Sequence, residues 1–461
     1  MNKIVNDSFH KKKYVRERVN YTMNYQETLK YIESLQGIGI VPGLAGITAL
    51  CEELGNPQEE LAFVHIAGTN GKGSVLAYIS TVLKCAGYRV GRYLSPVISN
   101  YREKIQVNGR PIFKQELCDC MDKVEEACAR MAAKGLPHPT VFEVETAAAF
   151  LYFQEKDCDI VVLETGMGGR EDATNLIRNT KMAILTSISM DHMQFLGKSL
   201  TDIAFHKAGI IKEGCRVISA IQEPEVLSIL ERESQNKDAV FTVVGEALKV
   251  RYGLEKQKFS YVDSRGRRYE NLEISLAGKH QVENAVLAVE AIGRLEECGY
   301  PVEERRLRQG LLAAEWPGRF QIVGKKPLFV LDGTHNEDAA KKLADSIRFY
   351  FTNKRIIYIM GMLRDKEYEK VIAETYAYAD QIITVTPPEN PRALPALSLA
   401  EAVREYHPRV TAAGSLEEAV EMAYLLAGRE DVILAFGSLS YLGRMQTILQ
   451  KRQKKPGKER L

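Results

Sequence analysis

Three glycines, a lysine and two hydroxyls stand together in Gly68-Thr69-Asn70-Gly71-Lys72-Gly73-Ser74. An apolar run, residues 61–66, precedes the string, and a helix-like stretch, 74–86, follows it. Glycines let successive backbone N–H groups turn toward an anion. The helix N-terminus adds partial positive charge, and Lys72 adds a full one. The chemistry is phosphate binding. The string departs from G-x-x-x-x-G-K-[ST], because Ile66 holds the first glycine position and Gly73 follows the lysine. Glu164 ends a second apolar run, 159–163. A carboxylate at a strand end beside a phosphate loop suits Mg²⁺, which prefers hard oxygen donors. Asp191-His192 closes a third run, 182–188, and Lys207 follows in H-K-A-G-I-I-K-E-G. Alone, Lys207 reads as a surface lysine and His192 as a loop histidine. Their joint occurrence downstream of Glu164 makes both candidates for one site.

These groups need a scaffold. Residues 329–331, 356–360, 381–385 and 432–436 repeat the short apolar pattern after a charged helical stretch at 302–315. Buried strands alternating with helices predict a parallel sheet covered on both faces. Ligands bind such sheets at the loops beyond the C-terminal strand ends, where the motifs fall. A boundary is expected near Trp316-Pro317-Gly318, and no internal repeat or low-complexity segment is seen.

The 461 residues allow about three domains at roughly 150 residues each, and two large ones are expected. The 62 basic and 60 acidic residues leave +2, which argues against a dedicated nucleic-acid binder. Residues 1–20 hold six Lys/Arg and two acids, and 451–461 hold six and one. Without them the body has 50 basic and 57 acidic residues, a charge of −7. Both tails are expected to be solvated or fraying ends. The eight cysteines contain no C-x-x-C pair, so neither a zinc site nor a disulfide framework is expected. The N-terminus has no apolar secretory segment, and no run approaches 18 apolar residues. A cytoplasmic protein with no membrane partner is expected.

G-T-N-G-K-G-S resembles the ATP loop of the Mur ligase superfamily, and within it that of the folylpolyglutamate synthase/dihydrofolate synthase family. The likeness runs from about Tyr25 to Ile448. It implies that Thr69, Asn70, Gly71, Lys72, Gly73 and Ser74 bind ATP. Ser95, in L-S-P with Val97 where the family has His or Phe, would share a first Mg²⁺ with Glu164. His192 would ligate a second Mg²⁺, and Lys207 would carry a CO₂-derived carbamate. Asn284, in G-K-H-Q-V-E-N-A, would face the nucleotide; read locally, it is equally a polar residue opening a helix. Arg319, in W-P-G-R-F, would reach phosphate. Asp332 and His335, in D-G-T-H-N, would lie near ribose and phosphate. Thr140, Val141, Phe142 and Glu143 resemble the family's T-x-F-E segment at the pterin, and Glu171, Asp172 and Ala173 lie where it also meets that substrate. Phe142 suits stacking on a flat heterocycle and suits a core equally well. Gly361, Asp365-Lys366 and Arg392-Ala393-Leu394 match the family's second domain.

The resemblance implies an α/β fold: a P-loop parallel-sheet ATP-binding domain at 21–316 plus a smaller Rossmann-like C-terminal glutamate-ligase domain at 317–450. It implies ATP-dependent addition of L-glutamate to a folate, dihydropteroate or tetrahydrofolate, through an acyl phosphate. Lys72, Lys207, His192 and Arg319 would be catalytic. Two Mg²⁺ are expected, a monovalent cation is allowed for, and the chain is expected to be monomeric. The nearest alternative is another Mur-type amino-acid ligase. Such enzymes usually carry an extra N-terminal domain, and only about 60 residues precede the loop strand. A P-loop ATPase without ligase activity would need no second metal site and no D-G-x-H-N segment.

Overall fold

The apolar runs that lead into the glycine loop, Glu164 and Asp191 form the centre of one sheet in the computed structural model, which describes residues 22–454. Its strands are β1 (Phe63–Ala67), β2 (Val90–Tyr93), β3 (Ile105–Val107), β4 (Arg110–Pro111), β5 (Ile160–Glu164), β6 (Thr180–Leu185), β7 (Arg216–Ser219) and β8 (Val240–Val243). Their order is β4-β3-β2-β5-β1-β6-β7-β8. Every residue of β1 and β5 is buried, as continuous apolar strands covered on both faces must be. The six strands from β2 to β8 in that order run parallel. The β3 and β4 edge is antiparallel, which the expectation of a parallel sheet had not included.

A second layer begins after Phe320. It holds β12 (Gln321–Lys325), β13 (Leu328–Asp332), β14 (Ile356–Met360), β15 (Gln381–Thr384), β16 (Val410–Ala412) and β17 (Val432–Phe436), ordered β12-β13-β17-β14-β15-β16. Only the β12 edge is antiparallel. Between the two lies a three-stranded antiparallel sheet of β9 (Leu248–Arg251), β10 (Gln257–Val262) and β11 (Arg268–Ile274), with no counterpart in the sequence reading.

The helix Lys72–Cys85 follows the glycine loop, two residues earlier than expected, because Gly71 at φ +93° turns the chain directly into it. Val75, Leu76, Ile79, Val82 and Leu83 are all buried in one apolar cluster with the helices His280–Leu295 and Glu304–Ala313. Fully burying one such side chain contributes about 1.5–3 kcal/mol, so this helix is firmly anchored. Gly310 lets the last of these helices close on it, since a Cβ there would overlap the Val82 backbone.

Other boundaries shift for local reasons. The strand expected at 182–188 ends at Leu185, and the Ser187 carbonyl accepts from the Thr69 N–H at 2.7 Å instead of continuing the sheet. The final helix, Leu439–Lys454, passes through the start of the segment expected to be a tail at 451–461. Residues 1–20 lie outside the described residues. Among the described residues no helix is long and apolar enough to cross a membrane.

Candidate active site

The loops after β1, β5, β6 and β13 converge on one cleft of about 380 Å³. The glycine loop is braced from below. Thr69 donates its hydroxyl to the Ser189 carbonyl at 2.9 Å and accepts the Ser189 N–H at 3.0 Å. Lys72 folds back, its Nζ donating to the carbonyls of Gly68 at 3.1 Å and Thr69 at 3.3 Å. Burial lowers its pKa, while Glu164 and Asp191 oppose that shift. Gly73 explains the departure from the common phosphate-loop string: a Cβ there would overlap the Trp316 indole, which covers the first helical turn.

Glu164 ends β5 opposite Ile66 of β1. Burial pushes its carboxyl up to about 7, against Lys72, Arg319 and the Ser95 backbone N–H, which donates to it. Lys207, in the helix Leu200–Ala208, is 5% exposed and donates to the Gly68 carbonyl at 2.7 Å. Burial, with Lys72 nearby, brings its ammonium down to about 7. His192 sits in left-handed backbone at φ +52°. The residue is exposed at the cleft, yet partial desolvation by the surrounding walls lowers its imidazole to about 4, helped by Lys366, Lys72 and Lys207 and opposed by Asp191. The ring is therefore neutral at pH 7 and free to be a ligand.

The other wall comes from the second sheet. Arg319 lines the cleft, with Gly333 close beside its guanidinium. Asp332, at the end of β13, accepts from the Phe320 N–H at 2.8 Å through one oxygen and from the Thr334 N–H at 2.9 Å through the other. His335 lines the cleft, its Nδ1 2.7 Å from the Gly333 carbonyl, and burial lowers it to about 4. Asn284 lines the cleft as well, its Nδ2 donating to Gln281 Oε1 at 3.2 Å, with its own oxygen packed against Gly71.

The two walls are joined by Asn70, expected from the resemblance to bind ATP, and by Asn336, Asp338 and Lys342, which had been given no role. Asn70 Nδ2 donates to Asp338 at 2.8 Å and to Asn336 Oδ1 at 3.3 Å. Asn336 donates to Asp191 at 3.2 Å, and Lys342 to the Ser187 hydroxyl at 3.2 Å. Asn336 stood inside the quoted D-G-T-H-N string, so position alone had flagged it. Nothing in the sequence indicated its partner.

The expected pterin segments lie outside this cleft's lining. Thr140 is the N-cap of the helix Val141–Glu155 and forms a reciprocal capping box with Glu143, whose carboxylate accepts the Thr140 N–H at 2.7 Å. Val141 is half-buried beside them. Phe142 packs on Tyr93 with ring centroids 6.0 Å apart and presses on Gly166, which does line the cleft. Asp172 accepts the Met167 N–H at 2.7 Å and the Thr174 N–H at 3.1 Å, holding its own turn. Ala173 is buried, and Glu171 is exposed.

Among the described residues no three His, Cys, Asp or Glu side chains form a metal cluster. The donors that do converge, the Glu164 carboxylate beside Ser95, are hard oxygen groups next to a phosphate loop. They fit a Mg²⁺ that takes its remaining ligands from phosphate and water.

The Mur ligase middle domain matches residues 66–292, and the Mur ligase glutamate ligase domain matches 318–439. Over 434 residues the chain is 34% identical to the dihydrofolate synthase/folylpolyglutamate synthase of Bacillus subtilis, covering 92% of this chain and 99% of that one. Folylpolyglutamate synthase of Lacticaseibacillus casei is 34% identical over 382 residues, covering 81% and 88%. Among solved structures, folylpolyglutamate synthase of Mycobacterium tuberculosis complexed with ADP and AMPPCP superposes with a TM-score of 0.85 at 30% identity, covering 92% and 99%. The E. coli FolC structure in complex with DHPP and ADP gives 0.83 at 30%, covering 94% and 99%.

Proposed function

Since the chain belongs to the folylpolyglutamate synthase/dihydrofolate synthase family of the Mur ligases, we propose that it joins L-glutamate to a folate carboxylate at the expense of ATP, with tetrahydrofolate as acceptor and dihydropteroate as a second one. The supporting observation is the convergence of Lys72, Glu164 and Lys207 from the first sheet with Arg319 and His335 from the second on one cleft.

The acceptor carboxylate attacks the γ-phosphorus of ATP, ADP leaves, and an acyl phosphate remains. The amine of L-glutamate then adds to the acyl carbon, and the tetrahedral intermediate collapses with loss of inorganic phosphate and the amine's proton. Phosphorylation turns a poor acyl donor into one with a good leaving group. Thr69, Asn70, Gly71, Gly73 and Ser74 present backbone and hydroxyl donors to phosphate, and Asn284 borders the nucleotide. Lys72 and Arg319 stabilise the charge that develops during transfer, fixed in place before the reaction begins. Asp332 keeps the turn that carries His335. Glu164 and Ser95 are the residues to hold one Mg²⁺ and His192 a second. When bound, Mg²⁺ neutralises phosphate charge and polarises the reacting phosphoryl group.

Lys207 supplies a buried amine that is substantially neutral near pH 7. Addition of CO₂ with loss of one proton gives a carbamate, exchanging a cation beside Lys72 for an anion that accepts hydrogen or metal bonds. Phe142 and the Asp172 turn border the acceptor's ring system. Closure of the 317–450 lobe on the 21–316 lobe excludes water from the acyl phosphate. A cytoplasmic monomer is part of this reading. Incorporation of radiolabelled glutamate, with ATP and either tetrahydrofolate or dihydropteroate, tests it. ATP hydrolysis without incorporation into either acceptor overturns it.

A further inference from the structure

One arm of the cleft is left unused by the chemistry above. Its lining includes a cross-strand row, Arg92 of β2, Gln106 of β3 and Pro111 of β4. Arg92 donates through one Nη to the Thr81 hydroxyl at 3.2 Å. Its Nε is sealed from solvent with no hydrogen-bond partner. No carboxylate among the described residues pairs with it, and burial alone lowers its pKa to about 10, which keeps it charged. A half-buried guanidinium with a sealed, unpaired Nε and no counter-ion is costly unless an anion reaches it. Gln106 turns its amide to the Glu103 carbonyl, and the Glu103 carboxylate accepts from the backbone N–H groups of Ile98 and Ser99.

Pro111 also lines a second groove on the outer side of the β3–β4 hairpin, where Lys84 and Arg110 are exposed without salt-bridge partners among the described residues. The Lys84 ammonium stands beside Gly109, at the hairpin tip. The cationic groups therefore run from inside the cleft to the surface. Thr81 lies nine residues beyond Lys72, about 13.5 Å along the helix at 1.5 Å per residue.

We infer that this arm, from Arg92 to Lys84 and Arg110, holds the free α-carboxylates of glutamates already joined to the acceptor. The inference rests on the glutamate-ligase reading. A γ-linked oligoglutamate keeps one α-carboxylate per residue, so a growing tail is a flexible polyanion. A guanidinium matches a carboxylate through paired N–H donors. Lys84 and Arg110 add a screened attraction for the remainder.

The test compares acceptors bearing one and four γ-linked glutamates. Arg92→Gln is expected to raise KM for the tetraglutamate acceptor roughly tenfold, about 1.4 kcal/mol, with little change for the monoglutamate. The surface double variant Lys84→Gln/Arg110→Gln, which touches no core, is expected to raise the same KM several-fold and to flatten its salt dependence. Equal changes for both acceptors, or none for either, overturn the inference. Calorimetry with free tetra-γ-glutamate needs no turnover. Binding by the wild-type protein that is lost in both variants supports the arm even where ligation fails, and binding no tighter than that of free glutamate rejects it.

Discussion

Asp191 and Lys366, 175 residues apart in sequence, form an ion pair at 3.0 Å with each side chain only 13% exposed. The carboxylate stands in the loop after β6, next to His192, and the ammonium in the loop after β14. The pair therefore ties the two sheets together at the mouth of the cleft. The neighbouring Lys366 charge holds the Asp191 carboxyl well below the ordinary range even though burial pushes the other way.

Breaking this tie should loosen closure. Asp191→Asn is expected to lower kcat/KM for ATP by roughly tenfold. A cycle with Lys366→Met should give a coupling energy of about 1 kcal/mol in chemical unfolding. Additive effects of the two changes would show that the pair does not couple the lobes.

Lys72→Ala and His192→Ala should each leave a folded protein, judged by circular dichroism, in which ADP release in the presence of folate, glutamate and ATP falls roughly a hundredfold or more. Turnover near wild type in either variant removes that residue from the machinery.

Lys207 carries two separate expectations. Lys207→Ala should lose activity, and short carboxylic acids should restore part of it by standing in for a carbamate; a density map should show the modification directly. The stability expectation concerns the unmodified amine in bicarbonate-free buffer. Its folded pKa, about 7, lies below the ordinary lysine range, so the unfolded chain binds more protons between the two values. Wild-type stability should then rise relative to Lys207→Met as pH climbs above 7, and the relative deficit should be full below it. Parallel stability curves for the two proteins from pH 6 to 9 would contradict this.

Gly73→Ala should disturb the loop because the added methyl meets the Trp316 ring. A loss of about 1–3 kcal/mol is expected from overpacking. Trp316→Leu should recover part of it in the double variant.

Much of the site was readable because short motifs combine chemistry with position. The phosphate string, Glu164 and the D-G-T-H-N segment each follow a strand whose apolar run is plain in the sequence. What could not be read was partnership. Asp172 and Asp332 look like free carboxylates in the chain, yet Asp172 is held by N–H groups of its own turn, and Asp332 by the Thr334 N–H of its turn and the Phe320 N–H of the preceding segment. Thr140 and Glu143 have the spacing of a capping box, and their structural bonds are those of one. The Asp191–Lys366 pair depends on two loops meeting in space, which no local pattern encodes. The β9–β11 sheet escaped for another reason: its strands interleave polar with apolar residues, without the continuous apolar runs that marked β1 and β5.

Trp316 is the only tryptophan in the chain, and it rests on Gly73, one residue after Lys72. Light absorbed above the tyrosine band therefore excites a single indole placed against the phosphate loop, on the segment that leads into the second sheet. The protein carries its own fluorophore at the point where nucleotide arrival and lobe movement meet. Emission from the unlabelled wild-type chain should follow both in real time.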